Sequence, residues 1–389
     1  MIIASLRHGA DVPAAGLTAR AGRTQACKRR PWMNPNEQKL QYPWGDTQPE
    51  PGRAMAVADG VRWIRMPLPF ALDHINLWLL RDEIDGRQGW TVVDCGISRD
   101  EVKTLWDQVF EQELDGLPVL RVIVTHMHPD HVGLAHWLCE RWQAPLWMSM
   151  TDYFVARLWS RPPAAGTAAA GGPGGQANVD HFSMHGMRDP ESLEQIRQRA
   201  SYYSNLVPDV PASFHRLLNG QRLSIGGRQW SLIAGYGHAP EHMSLYCEAL
   251  DVLISGDMVL PRISTNVSVF AYEPDANPLP LYLDSLRRYD PLPAGTLVLP
   301  SHGRPFKGLH ERVSQQLTHH AERLQEVLDA CREPRSTIDI VPVLFKRKLD
   351  LHQMTFAMGE ALAHLHALYF EGKLTRAIGE DGIMRFLRA

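Results

Sequence analysis

The sequence predicts an α/β protein in which sheets are covered by helices. Three observations carry that expectation. Short apolar runs closed by glycine or proline recur up to about residue 302, and each has the length of a buried strand. Stretches with helical periodicity lie between them. From Gly308 onward the pattern changes to long helices that end in a hairpin, so a small second unit is expected there.

Taken in order, "GWTVVDCG" (89–96) and "LPVLRVIVTH" (117–126) read as buried strands. "PDHVGLAHWLCERW" (129–142) reads as one helix, with Pro129 suited to its first position. Residues 162–178, "PPAAGTAAAGGPGGQAN", are low in complexity and read as a mobile surface insertion. "DPESLEQIRQRASYYSN" (189–205) reads as a helix with an acidic first turn. "QRLSIGGRQWSLIAG" (221–235) is a hairpin turned at Gly226-Gly227. "MSLYCEALDVLISGD" (243–257) is a second strand pair, and "GTLVLPSH" (295–302) is one more strand. The helices and hairpin of 308–389 give a winged-helix-like outline, leaving 51–307 as the larger domain.

With 389 residues and 44% hydrophobic content, the chain can bury a large core and a smaller one. A formal net charge of -3 supplies no global basic field for nucleic acid. Five cysteines at wide spacing, without C-x-x-C, argue against a disulfide framework and fit a reducing, cytoplasmic setting. No apolar run approaches the roughly 18 residues of a membrane span, so no membrane partner is expected. The first 33 residues hold six Lys or Arg against Asp11 alone. Residues 1–50 are expected to be a disordered tail, with Met33 a plausible initiator.

The chemistry is concentrated in "THMHPDH" (125–131). His126 and His128 stand two apart just past a strand, so both side chains leave on one face. Asp130 and His131 open the following helix. A single histidine pair in a loop reads most simply as solvated surface. Four ligand-type residues after an apolar strand read as a metal loop, suited to zinc, iron or manganese. Downstream, His238 in "GYGHAPEH", Asp257 in "LISGDMVL" and His302 in "LVLPSHGRP" each follow a strand with a small neighbour beside them.

In this order the signatures "VVDCG", "THMHPDH", "GHAPEH", "SGDMVL" and "PSHGRPF" resemble the metallo-β-lactamase fold superfamily, over about residues 55–306. The resemblance implies an αβ/βα four-layer sandwich. It implies two divalent ions, zinc first among them: His126, His128 and His238 hold one, Asp130, His131 and His302 the other, and Asp257 bridges both. It casts Asp94 as the acid that orients a ligand histidine, and His242 as support. Asp257, where true class B β-lactamases often carry Cys, points to the glyoxalase II-like branch. The tail after His302 resembles the lactamase-beta-2-like group, which includes endoribonucleases for single-stranded RNA. Yet residues 308–389 balance 11 Lys or Arg against 11 Asp or Glu. A neutral module lacks the footprint for phosphate contacts, so it reads as a packing or homodimerisation element.

The implied activity is hydrolysis of a small ester, thioester (hydroxyacylglutathione-like) or lactone by a metal-bridging hydroxide, with Asp130 passing a proton to the leaving group. An endoribonuclease is the alternative, and a non-catalytic scaffold a weaker one. The loop 260–278 follows Asp257, which makes Asn266, Phe270 and Tyr272 candidates for substrate contact.

Overall fold

The computed structural model describes residues 36–161 and 174–389. Two sheets face each other. The first holds seven strands in chain order: β1 (Ala54–Ala58), β2 (Val61–Pro67), β3 (His74–Ile84), β4 (Arg87–Val93), β5 (Val119–Ile123), β6 (Leu146–Ser149) and β7 (His215–Leu217). β1 to β4 pair antiparallel and β4 to β7 parallel. The second has β8 (Arg222–Ile225), β9 (Arg228–Gly235), β10 (His242–Cys247), β11 (Val252–Gly256) and β12 (Leu297–Pro300), in the order β12-β11-β10-β9-β8. Only β11 and β12 pair parallel in it.

Helices cover the outer faces. Along the chain they are α1 (Asp100–Gln112), α2 (Pro129–Val132), α3 (Ala135–Trp142), α4 (Met150–Trp159), α5 (Gln176–Met184), α6 (Pro190–Gln198), α7 (Tyr202–Leu206) and α8 (Pro278–Arg287). α9 (Leu309–Ala330), α10 (Thr337–Leu344) and α11 (Leu351–Phe370) precede the hairpin β13 (Leu374–Ile378) and β14 (Met384–Arg388).

Three apolar clusters make the four layers. Trp63, Trp78 and Ile123 of the first sheet meet Trp230, Leu245 and Ile254 of the second. On the far face of the first sheet, Leu77 and Val92 pack with Trp106 and Val109 of α1. On the far face of the second, Leu253 and Val298 pack with Tyr282 of α8, Val313 of α9 and Leu365 of α11. The C-terminal helices therefore do not stand apart. They are the outer layer of the second sheet and share its core, because α11 is apolar on most sides and must be covered on most sides.

The structure corrects several expectations. The helix expected over 129–142 is broken after Val132. Leu134 N–H turns aside to the Gly96 carbonyl at 3.1 Å, and a Cβ on Gly133 would lie 2.8 Å from that same oxygen. The helix expected over 189–205 is interrupted by a tighter turn at Arg199–Ser201. Of the low-complexity insertion, residues 162–173 lie outside the described residues, but 176–178 already belong to α5. Residues 1–35 also lie outside them, whereas 36–50 are not a tail. Leu40 is buried, and Gln41 pairs with Lys307 through main-chain bonds in both directions. The apolar contact of Leu40 and Tyr42 with the C-terminal core offsets the polar composition of that stretch.

Candidate metal centre

Each signature reaches one point because a strand ends there. After β5 the chain is tied by Val124 N–H to the Trp147 carbonyl, and Thr125 N–H donates to Asp94 Oδ1 at 2.8 Å. Asp94 itself follows β4 with φ 61°, a left-handed conformation that aspartate tolerates better than most residues. Thr125 C=O accepts from Met243 N–H, so the metal loop is sewn to the second sheet. Gly237 has φ 94°, and a Cβ on it would lie 2.5 Å from the Pro278 carbonyl. Gly256 has φ 53°, and a Cβ there would lie 2.1 Å from His242 Nε2. Both glycines let the chain fold closely around the site.

The seven candidate ligands converge. His126 Nε2 lies 2.9 Å from His128 Nδ1, which lies 3.1 Å from His238 Nε2. His238 Nε2 closes the triangle at 3.2 Å from His126 Nε2. Asp257 spreads its carboxylate, with Oδ2 at 3.3 Å from His238 Nε2 and Oδ1 at 3.5 Å from both His131 Nε2 and His302 Nε2. Asp130 Oδ2 stands 3.3 Å from His302 Nε2 and 3.7 Å from His131 Nε2. Three groups have ligand atoms close enough to share an ion: His126 with His128 and His238, His126 with His131 and Asp257, and Asp130 with His131 and His302.

The outward sides of the rings decide what points inward. His238 Nδ1–H donates to the Asn266 carbonyl at 2.8 Å, and His302 Nδ1–H donates to the His74 carbonyl at 2.7 Å. His131 Nδ1–H donates to Asp94 Oδ2 at 2.8 Å. His126 Nδ1 faces Thr125 Oγ1, whose hydroxyl donates to Asp94 Oδ2 at 2.9 Å. With Nδ1 occupied in this way, Nε2 of His131, His238 and His302 is the nitrogen that faces the carboxylates. His131 Nε2 and Asp257 Oδ1 have no hydrogen-bond partner despite deep burial. Lone pairs and carboxylate oxygens facing one another without donors are what divalent cations satisfy, so the residues fit the group.

Electrostatics agree. Burial, then the neighbouring imidazoles, push His126 far below the ordinary range, and burial with His238 brings His128 down to about 3. Burial also pushes His302 down, but Asp257 and Asp130 outweigh it and raise it to about 10. The carboxylates thus attract positive charge strongly, and a metal ion competes with a proton for the same lone pair.

His242 is not among the converging ligand groups. Its Nε2 accepts Asp257 N–H at 3.2 Å. Asn266, expected to contact substrate, instead lies behind His238, its side chain turned to Glu360 and Ser268. Phe270 and Tyr272 stack with ring centroids 5.3 Å apart and line a cavity of about 300 Å³ that also borders His238. A wider cleft of about 760 Å³ borders His302, lined in part by Arg65, Arg262 and Arg304.

Two acids escaped the sequence reading. Asp152 is fully buried and accepts Met127 N–H at 2.9 Å and Glu241 N–H at 2.6 Å, tying the loops of His126 and His238 together. Burial raises its pKa to about 6. Its only local signal was a serine three residues earlier, since Ser149 caps α4 through Asp152 N–H. The other, Glu360, lies on α11.

Residues 71–302 match the family model "Metallo-beta-lactamase superfamily". The chain belongs to the metallo-beta-lactamase superfamily. A second model, "Metallo-beta-lactamase-like, C-terminal domain", matches residues 324–389. Among superfamily structures, the chain is similar to a beta-lactamase domain protein from Burkholderia ambifaria, with 55% identity, a TM-score of 0.85, and coverage of 92% of this chain and 100% of that one. The "Probable metallo-hydrolase YqjP" of Bacillus subtilis (strain 168) is 22% identical over 80% of this chain and 93% of its own length. The "Atrochrysone carboxyl ACP thioesterase AacuM" of Aspergillus aculeatus is 25% identical over 44% of this chain and 53% of its own. As a superfamily member the chain is a metal-dependent hydrolase. No helix among the described residues is long and apolar enough to cross a membrane.

Proposed function

We propose that the chain is a binuclear hydrolase of a small ester, thioester or lactone. The observation that carries this reading is the split carboxylate of Asp257, one oxygen toward His238 and the other toward His131 and His302. His126, His128 and His238 would hold one divalent ion, Asp130, His131 and His302 the other, with Asp257 shared. Bound there, two such ions supply Lewis acidity and an activated water at neutral pH. The protein's part is to hold the rings of His126, His131, His238 and His302 through their outward nitrogens, and to place Asp130, the most exposed of the three acids at the centre, where it can hand a proton to a leaving group. Burial raises but His131 and His302 lower the Asp130 pKa, which favours the ionised carboxylate.

The aromatic cavity beside His238 suits an apolar acyl portion, and the thioesterase among the relatives favours a thioester. Zinc is the ion we favour, because nitrogen and carboxylate donors dominate the set. The free cysteines among the described residues, Cys95, Cys139, Cys247 and Cys331, are all buried, which fits a cytoplasmic enzyme. The test is metal analysis of wild type beside Asp257→Ala, followed by thioester, lactone and single-stranded RNA substrates. About two equivalents falling to one or fewer is expected. Unchanged metal content in the variant, or cleavage of RNA alone, would overturn the reading.

A further inference from the structure

Glu360 sits in the middle of α11, where only 9% of its surface is exposed. A buried carboxyl normally faces a cation or several donors. What faces this one is Asn266, whose Nδ2 donates to Glu360 Oε2 at 3.2 Å. Burial raises its pKa to about 7, and the Asn266 amide opposes that rise. The arrangement is costly unless the contact serves something.

Three further contacts show what it holds. Ser268 Oγ–H donates to Asn266 Oδ1 at 2.7 Å, so the amide is fixed at both ends. Val269 N–H donates to the Gly359 carbonyl at 3.1 Å. A Cβ on Gly359 would lie 2.6 Å from Ser268 Oγ, so glycine is what lets α11 press against this loop. With its side chain clamped, Asn266 has its main-chain carbonyl left to accept His238 Nδ1–H at 2.8 Å. An unbroken line of hydrogen bonds thus runs from the C-terminal helix to a histidine of the centre.

We propose that Glu360 is a positioning residue: through the Asn266 amide it fixes the carbonyl that aims His238, so α11 sets the geometry of the site formed by His126, His128 and His238. This rests on the metal-centre reading above. A carbonyl free to rotate would let His238 change tautomer or tilt, and outer hydrogen-bond partners of this kind typically govern metal affinity by 10–100-fold.

The experiment uses the full chain loaded with zinc(II) and three variants. Glu360→Gln keeps an acceptor for the Asn266 amide. Glu360→Met removes it at similar volume, and Asn266→Ala removes the amide. Two readouts are taken: the rate of zinc loss to a chelator, and the ring nitrogen spectrum of His238. The expectation is that Glu360→Met and Asn266→Ala release one of two zinc equivalents about tenfold faster or more and lose the Nδ1–H signature of His238, whereas Glu360→Gln behaves as wild type. Combining Glu360→Met with Asn266→Ala adds little to either alone. Wild-type zinc retention in Glu360→Met, even with a lowered Tm, would overturn the proposal, as would a Glu360→Gln variant as leaky as Glu360→Met. If wild type holds no metal, the metal-centre reading fails, and the His238 spectrum still tests the brace.

Discussion

Asp94 shows how one residue can be strained and irreplaceable together. Its left-handed backbone lets a single carboxylate meet Thr125 N–H, the Thr125 hydroxyl and His131 Nδ1–H. Asp94→Asn would tolerate the backbone but put an N–H₂ where two donors already point, pushing His131 toward the wrong tautomer. We expect a 10–100-fold loss in zinc affinity with little change in fold, measured by chelator competition and circular dichroism. Wild-type affinity would show that Asp94 merely caps a strand. Gly256→Ala is a sharper case. The left-handed conformation alone should cost about 1–3 kcal/mol, and the new methyl must also displace His242. A thermal midpoint equal to wild type would contradict this. At this scale the sequence pointed most directly to positions where a ligand type, a strand end and a small neighbour coincide, as at His238, Asp257 and His302, whose side chains the structure brings together. Asp152 and Glu360 were not readable, because their partners lie far along the chain and nothing next to them betrays their burial.

Among elements, strands closed by glycine declared themselves, and so did the Gly226-Gly227 turn, where both residues have positive φ. Helix continuity did not. Periodicity carries through Gly133 and Arg199, but Leu134 N–H turns to the Gly96 carbonyl at the first, and just before the second the Ile196 carbonyl accepts Gly175 N–H from a neighbouring turn. For α11 the chief surprise is a buried acid in an apolar helix, and that has a consequence for pH. The folded pKa of Glu360, about 7, lies above the ordinary 4.5. Between those values the folded chain holds a proton that the unfolded chain has released. Its contribution to stability is therefore complete below about pH 4.5 and is lost as pH rises through about 7. Relative to wild type, Glu360→Gln should gain on the order of 3 kcal/mol across that window. Parallel stability curves for the two proteins from pH 4.5 to 7.5 would refute the assignment.

For the whole molecule, the fold class was legible, but the way the C-terminal helices join the second sheet was not. Apolar residues of α9 and α11 look like the inside of a small separate unit until the second sheet is seen to need them. A chain cut after residue 307 would bare Leu253, Met258, Val298 and Phe306 together. We expect that fragment to aggregate, judged by sedimentation against the full chain. A soluble, monomeric fragment with the secondary structure of the full chain would show the two cores to be separable.

The order of the ligands along the chain also has a consequence in time. His126, His128, Asp130 and His131 leave the ribosome first, His238 and Asp257 much later, His302 later still, and Glu360 after all of them. Until His238, Asp257 and His302 emerge, the ligand set for either ion is incomplete, and the first four would be open to whatever metal the cell offers. Arrested nascent chains of increasing length should therefore take up zinc weakly and exchange it quickly until the carrier has released residues beyond 360, and hold it firmly only then. Metal choice in this protein would in that case wait until α11 has emerged.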